Sequence, residues 1–181
     1  MPQRAIDIGF ITAIIKKREN MPNKRNDVIS WDEFFMKVAI AAKLRSKDPN
    51  TQVGACIADV HNRILSVGYN GTPIGYDDDD FPWATTDDPL TDKHSYVVHA
   101  EANAVLNYRG SLKDFKDASV YVTLFPCHEC AKFLVQVGIG QVIYLDNKYE
   151  GTDDHKISCK IFDKCNISYR PFTQSEPENY L

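Results

Sequence analysis

The alternation of apolar and polar positions divides the chain from residue 30 onward into helices and strands. Apolar residues recur at helical spacing within 30–46, and they would form one face of an amphipathic helix: Phe34, Phe35, Val38, Ala41, Ala42 and Leu44. Ser30 stands where a helix N-cap is expected, and acidic residues follow it in the first turn. The sequence DPN at 48–50 would stop this helix.

Two strand-like segments follow at 52–60 and 64–71, and the short HNR sequence between them predicts a hairpin. Further along, the pattern predicts a helix at 97–109, a strand at 119–125, a helix at 127–137, a strand at 141–146, a helix at 153–165 and a strand at 167–172. This order predicts an α/β fold: a mixed sheet of about five strands with helices on both faces, in a three-layer α/β/α arrangement.

Two segments fall outside this pattern. Residues 1–30 are expected to be an N-terminal extension, with a short amphipathic helix at 8–20, before a single domain at 31–181. Residues 71–96 are irregular, rich in aspartate and interrupted by proline, and a connection of that length is expected to be functional or mobile. The aspartate run at 77–80 favours a solvated loop.

Composition limits the class of protein. The chain has 181 residues, 43% of them hydrophobic and 25% charged, which is typical of one globular domain with a sizeable core. No apolar stretch approaches the ~20 residues that cross a bilayer, and the first residues lack the pattern of a signal peptide. We therefore expect a cytoplasmic protein without a membrane partner. The net charge of -4 disfavours a protein whose whole surface binds a polynucleotide. It does not exclude a local basic groove.

Candidate metal chemistry comes from two predicted helix starts. Cys127 and Cys130 are spaced C-x2-C, and a helix N-terminus favours their thiolate forms. His99 begins the preceding helix and would be a third ligand, which is the number that a catalytic zinc takes from protein. Glu101 lies two residues further on, where a carboxylate could move protons to and from a water on the metal.

Other readings of these residues need weighing. A C-x2-C pair alone could be a redox pair or half of a structural zinc site, and a structural site would need a fourth ligand. The candidates for that fourth ligand are Cys56, His128, Cys159 and Cys165. The combination of H-x-E with P-C-x-x-C is more specific, because it is the signature of zinc-dependent nucleobase deaminases.

From about residue 31 to 172 the chain resembles the deoxycytidylate (dCMP) deaminases of the cytidine deaminase superfamily. The resemblance rests on RSKDPNTQVGACI (45–57), GYNGTP (68–73), HAEANA (99–104), LFPCHECAK (124–132) and YLDNKY (144–149). It implies a cytidine deaminase-like fold and the zinc-dependent hydrolysis of dCMP to dUMP and ammonia, which supplies dUMP for thymidylate synthesis. In this reading water attacks C4 of the cytosine ring while Glu101 transfers the protons.

The resemblance also implies a set of substrate-binding residues: Arg45, Ser46, Asn50, Asn70, Ala100 and Tyr149. Arg45 and Ser46 suit a 5′-phosphate, Asn70 suits a sugar hydroxyl, and Tyr149 matches a family tyrosine near the phosphate. Three of these residues have a simpler reading as well. Arg45 is a favourable charge at a helix C-terminus, Asn70 is a turn residue, and Tyr149 is an aromatic residue at a strand end.

Enzymes that this chain resembles are commonly homohexamers, activated by dCTP with Mg(II) and inhibited by dTTP. The resemblance therefore implies effector contacts from Gly68, Tyr69, Asn70 and Gly71, and the acidic run at 77–80 could meet the triphosphate through Mg(II). The alternatives are a polynucleotide deaminase, a deaminase of free nucleosides or other small bases, and a zinc module without activity. A polynucleotide deaminase would want a basic channel with aromatic stacking platforms, whereas the loop near this site is acidic.

Overall fold

The computed structural model describes residues 24–173 of the chain. Its helices and strands are α1 (Trp31–Lys43), β1 (Gly54–Ala58), β2 (Ile64–Tyr69), α2 (Ala100–Asn107), β3 (Ser119–Leu124), α3 (His128–Val137), β4 (Gln141–Asp146), α4 (Asp153–Lys164) and β5 (Ser168–Pro171). The predicted order and type of elements from residue 30 onward are confirmed. The helix predicted at 8–20 lies outside the described residues, and the boundary of the extension at residue 30 stays a prediction.

The five strands form one mixed sheet in the order β2-β1-β3-β4-β5. Strand β1 pairs antiparallel with β2 and with β3, and β4 pairs parallel with β3 and with β5. The parallel half requires crossover connections, which α3 and α4 supply. The expected mixed sheet of about five strands is confirmed.

Two hydrophobic cores lie on opposite faces of this sheet because successive strand residues point to opposite sides. Ala55 and Ile57 of β1 belong to the core that includes α2, α3 and α4. Cys56 and Ala58, the alternate residues of the same strand, pack with Phe35 of α1. The predicted three layers are therefore present, and within residues 24–173 one helix lies on one face and three lie on the other.

Helix α1 begins where the sequence indicates, since the Ser30 hydroxyl accepts a hydrogen bond from Glu33 N at 3.2 Å. Its predicted buried face is wrong in part. Phe35 and Ala42 are buried, but Phe34, Ala41 and Leu44 are exposed, and the stripe against the sheet is completed by Met36 and Ala39. Apolar residues occupy both sides of α1, so periodicity alone does not show which side meets the sheet. The structure leaves Trp31 56% exposed and Phe34 38% exposed on an outer stripe of the helix.

Helix α2 packs unusually close to β2 at Gly68. A Cβ atom added to Gly68 would lie 2.3 Å from the carbonyl oxygen of Ala100 and 2.3 Å from the amide nitrogen of Ala104. Glycine is therefore required at this position by the contact between backbones. The same contact sets the height of α2, and hence of its first residues, above the sheet.

The segment 71–96 is irregular, as predicted, apart from a short 3-10 turn at Lys93–Ser95. It packs partly on itself through aromatic side chains, with Phe81 buried between Tyr76, Trp83 and Tyr96. Within the acidic run, Asp78 pairs with Lys47 and accepts a hydrogen bond from Thr72 Oγ1, while its neighbours in 77–80 are exposed. None of the helices within 24–173 has both the length and the apolar character that a membrane span requires.

Candidate active site

The N-termini of α2 and α3 meet at the candidate metal ligands. His99 is the N-cap of α2 and Cys127 is the N-cap of α3, and both have extended backbones. The helix predicted to start at 97 starts later because Val98 pairs with Gly71: the two residues exchange both backbone hydrogen bonds. This pairing places His99 at the start of α2. Cys130 lies in the first turn of the other helix, α3.

The donor atoms of His99, Cys127 and Cys130 all lie within 4.8 Å of one another. The distance from His99 Nδ1 is 3.3 Å to Cys127 Sγ and 3.4 Å to Cys130 Sγ. A tetrahedral zinc with bonds of about 2.1 Å to nitrogen and about 2.3 Å to sulfur separates these donors by roughly 3.6 Å. The three residues therefore fit Zn(II), and within 24–173 no fourth histidine, cysteine or carboxylate joins the group.

The groups around Cys127 favour the thiolate form of its side chain. A hydrogen bond from the Cys130 thiol, together with the His99 imidazole, lowers the pKa of Cys127 to about 4 despite its burial. The same contact with Cys127 raises the pKa of His99 to about 9. The Cys130 thiol, which hydrogen-bonds Cys127 and is buried, has its pKa raised. The lowered pKa of Cys127 favours its thiolate form, which suits a metal that binds thiolates.

Glu101 lies beside the metal-binding group without belonging to it. Its side chain is on the first turn of α2 and the residue is only 4% exposed. Burial raises the pKa of Glu101, although the positive charge of His99 opposes that shift. A raised pKa favours the protonated form of the carboxyl, which suits a group that must take up and release protons.

Glu101, His99 and Cys127 line a pocket of ≈ 410 Å³. This volume falls in the ordinary range for small-molecule sites. The remaining lining comes from five chain segments, which contribute Asp48, Thr51 and Val53; Asn70; Lys93, His94, Val97 and Ala100; Leu124, Phe125 and Pro126; and Asn147, Tyr149, Thr152, Asp154 and His155. The pocket thus combines an apolar surface with several polar groups, as in a site for a polar small molecule.

Three of the predicted substrate residues line this pocket, and three do not. Asn70, Ala100 and Tyr149 are on its wall. Arg45 is exposed beyond the last turn of α1, and Asn50 is exposed too. Ser46 Oγ accepts a hydrogen bond from the Asp48 amide at 3.3 Å, outside the lining. The roles of all six stay predictions.

Asn70 supports the pocket wall through its amide group. Its Oδ1 accepts from Val53 N at 2.7 Å, and its Nδ2 donates to Thr51 O at 2.9 Å. A buried amide that bonds to backbone on both sides is a structural support, which explains why this residue sits at 6% exposure. A contact with a sugar hydroxyl, as the sequence suggests, would use the remaining lone pair of Oδ1.

The predicted effector residues form the end of β2 and its continuation. Gly68 is buried under α2, Tyr69 O accepts a hydrogen bond from Asn103 Nδ2 at 2.8 Å, and Gly71 pairs with Val98. These contacts give the GYNG sequence a structural role in seating α2. The effector role of Gly68, Tyr69, Asn70 and Gly71 stays a prediction.

Sequence reasoning missed a buried ion pair in the pocket lining. Lys93 Nζ lies 2.7 Å from Asp48 Oδ1 and 2.8 Å from Asp48 Oδ2, and both residues are 3% exposed. In the sequence, Asp48 belongs to a helix stop and to the RSKDPN stretch, and Lys93 lies in the irregular segment, so no local pattern pairs the two residues. Sequence reasoning also missed Asp154 and His155, which follow the N-cap Thr152 of α4 and line the pocket. The aspartates and the cap signal mark that helix start, but nothing in the local pattern directs it toward the site.

The proteins that this chain is similar to agree with a zinc site of this kind. The family model for the zinc-binding region of cytidine and deoxycytidylate deaminases matches residues 29–146. A probable deoxycytidylate deaminase of Drosophila melanogaster is 47% identical over 167 residues, which cover 89% of this chain and 80% of that protein. The deoxycytidylate deaminase of Homo sapiens is 45% identical over 150 residues, which cover 82% of this chain and 83% of that protein.

Solved structures share the fold. The dCMP deaminase of cyanophage S-TIM5, in its apo form, is 24% identical with a TM-score of 0.59, covering 78% of this chain and 96% of that one. Acinetobacter baumannii RibD is 22% identical with a TM-score of 0.54, covering 78% of this chain and 35% of that one. The expected cytidine deaminase-like fold is confirmed. On the extent of the family match and the identity with these relatives, the chain belongs to the cytidine and deoxycytidylate deaminase family.

Proposed function

We propose that this chain is a deoxycytidylate deaminase, which converts dCMP and water to dUMP and ammonia. The observation that carries the proposal is the group of His99, Cys127 and Cys130 next to a buried Glu101 in one pocket. The relatives that are 45–47% identical over most of the chain are named deoxycytidylate deaminases, which supports dCMP as the substrate.

His99 would hold Zn(II) through Nδ1, and Cys127 and Cys130 would hold it through Sγ. When bound by three protein ligands, zinc activates water as a nucleophile. The thiolate of Cys127 and the hydrogen bond from the Cys130 thiol arrange these donors before binding. The absence of a fourth donor among residues 24–173 favours the catalytic reading over a structural zinc.

Glu101 transfers the protons of the reaction. It takes one proton from the attacking water and delivers it to the ring nitrogen next to C4. The oxygen of the water bonds to C4 in the same step. Glu101 then moves the remaining proton from this oxygen to the exocyclic amino group. The bond between C4 and the amino nitrogen breaks, and ammonia leaves as the C4 carbonyl forms. Its burial keeps the carboxyl out of bulk water and raises its pKa, so that it can accept and return each proton.

Nucleotide selection involves the remaining pocket residues. We propose that Asn70, Ala100 and Tyr149 contact the nucleotide, which their place on the pocket wall supports. Arg45, Ser46 and Asn50 lie on the segment that carries Asp48 into the pocket, and their contact with the 5′-phosphate rests on the resemblance of RSKDPN alone.

Regulation and assembly are proposed on the same resemblance. The chain keeps GYNGTP, which suggests activation by dCTP with Mg(II) and inhibition by dTTP. The exposed apolar residues Trp31 and Phe34 on α1 support self-association, and a homohexamer is the proposed form. The cytoplasm is the proposed location. Light scattering gives the mass of the assembly, and turnover with and without each effector tests the regulation.

The function is tested by ammonia release from the purified, zinc-loaded protein. The substrates are dCMP, deoxycytidine and a single strand that contains cytosine, and we expect turnover of dCMP alone. Glu101→Gln should lower kcat by at least about 100-fold, the usual contribution of acid-base catalysis, while zinc stays bound. Glu129→Gln makes the same change at an exposed carboxylate and should keep the activity. Turnover of deoxycytidine but not of dCMP would contradict the proposed substrate.

A further inference from the structure

The buried ion pair between Asp48 and Lys93 joins two segments that both line the pocket. Its two residues are 45 positions apart in sequence, and the ammonium bonds both carboxylate oxygens. The side chains are 2% exposed for Asp48 and 4% for Lys93. Removing two charges from water is costly, so a buried pair is seldom the most stabilising choice at a site. We therefore looked to the function of the pocket, rather than to stability, for the role of this ion pair.

On one side of the pair, Asp48 organises the segment 48–53. Its Oδ1 accepts hydrogen bonds from Asn50 N at 2.8 Å and Thr51 N at 3.0 Å, so the carboxylate closes a tight turn. Thr51 and Val53, which follow this turn, line the pocket. The position of this part of the lining is therefore set by the position of the Asp48 carboxylate.

On the other side, Lys93 organises the segment 93–99. Its backbone amide donates to Ala84 O at 2.9 Å, and its carbonyl accepts from Val97 N at 2.9 Å. Val98 then pairs with Gly71, and His99 follows as the N-cap of α2. Lys93, Val97 and His99 thus reach the pocket from one continuous, hydrogen-bonded segment.

We propose that Asp48 and Lys93 are a positioning pair that sets the spacing between these two pocket-lining segments, and that this spacing determines how tightly the substrate is held. The proposal rests on the proposed deaminase function, because it concerns the substrate of that site. Neither charge is available to take part in chemistry, since each is bound to the other and buried. Loss of the pair should therefore weaken binding in the ground state and in the transition state alike, which raises KM and leaves kcat nearly unchanged.

The test separates positioning from folding by comparing a single and a double variant. Lys93→Met leaves the Asp48 charge buried and alone, so it should destabilise the fold and raise KM. The double variant Asp48→Asn/Lys93→Met removes both charges but keeps an acceptor at 48 for the turn, so stability should return toward that of the unaltered protein. In the double variant, KM should stay raised by about tenfold or more, with kcat within about twofold, because the segment 48–53 moves while the pairing of Val98 with Gly71 still holds His99.

Arg63→Met is the matched control. Arg63 pairs with Asp59 at 2.6 Å in the β1–β2 hairpin, and neither residue lines the pocket. This variant should keep the KM of the unaltered protein. Each KM is compared with that of the unaltered protein for whichever cytosine compound it deaminates, so a wrong substrate assignment is detected separately from a wrong role for the pair.

A double variant that folds and keeps the original KM would overturn the proposal, and the pair would be a structural cross-link only. If the double variant does not fold, Lys93→Arg decides, because it keeps the charge but changes the reach of the side chain. A raised KM in Lys93→Arg at unchanged kcat then supports the role in spacing, and an unchanged KM overturns it.

Discussion

The close approach of α2 to β2 at Gly68 gives a prediction whose size follows from distances. In Gly68→Ala the new Cβ would start 2.3 Å from two backbone atoms of α2, the Ala100 oxygen and the Ala104 nitrogen. Real Cβ atoms essentially never lie within 3.0 Å of such atoms, and backbone cannot rotate away as a side chain can. Helix α2 must therefore move by roughly 1 Å before ordinary van der Waals contact is restored.

That movement has two consequences. Overpacking of this kind costs about 1–3 kcal/mol of unfolding free energy. Because His99 and Glu101 stand at the start of the same helix, the shift also displaces them from Cys127 and Cys130, and a misplacement of about 1 Å costs on the order of 100-fold in rate. The assay pairs urea unfolding with kcat/KM for dCMP, without any effector present.

Gly75→Ala is the control, because a Cβ there meets no atom within 4 Å. Its φ of 91° is strained for alanine, so it carries a conformational cost of about 1 kcal/mol without any contact with α2. We expect Gly75→Ala to keep the kcat/KM of the unaltered protein. Full activity and full stability in Gly68→Ala would refute the argument that this contact seats the helix of Glu101.

Further predictions concern the metal, the acid side of the stability profile and the metal ligands. Removal of zinc with a chelator should abolish ammonia release while the circular dichroism spectrum of the fold is kept, and added Zn(II) should restore activity; a lost spectrum would favour a structural metal. Burial alone would raise the pKa of Asp48, but Lys93 and the amides of Thr51 and Asn50 hold it below its usual 3.8. The stability from this carboxylate is present above pH 3.8 and is lost as pH falls through the lowered pKa, so between about pH 5 and pH 3 the protein should lose more unfolding free energy than Asp48→Asn/Lys93→Met. Equal losses in urea titrations would contradict this assignment. Cys127→Ser should lower zinc content, measured by atomic emission, together with activity, because a hydroxyl does not replace the thiolate; unchanged zinc content would remove Cys127 from the ligand set.

The sequence carries the layout of the fold and the metal chemistry because both leave local patterns. The unbroken run of small and apolar residues in β1 is typical of a strand buried on both faces, and the spacing of Cys127 and Cys130 is a signal within a single helix turn. The buried side of α1 could not be predicted in the same way. Both of its sides are apolar, so the choice between Phe34 and Met36 depends on which stripe the sheet covers.

The pocket wall was harder still to predict, because its contacts join distant segments. The bond between Asp48 and Lys93 exists only when residues 45 positions apart are brought together, and no local period encodes it. Asn70 is predicted to contact a sugar hydroxyl, and in the structure its amide also supports the backbone at Thr51 and Val53. A polar residue at a strand end gives the same sequence signal in either role.

The two tryptophans of the chain occupy positions with different surroundings, which gives the protein two built-in fluorescent reporters. Trp31 lies half-exposed on the outer stripe of α1, stacked on Phe35. Trp83 lies in the segment 71–96, where its Nε1 donates to the Asp78 carbonyl at 2.9 Å and its ring packs on Phe81. With the other tryptophan replaced by phenylalanine, the emission wavelength of Trp31 reports whether the outer stripe of α1 becomes covered in an assembly. The emission of Trp83 reports rearrangement of the acidic segment when a nucleotide binds.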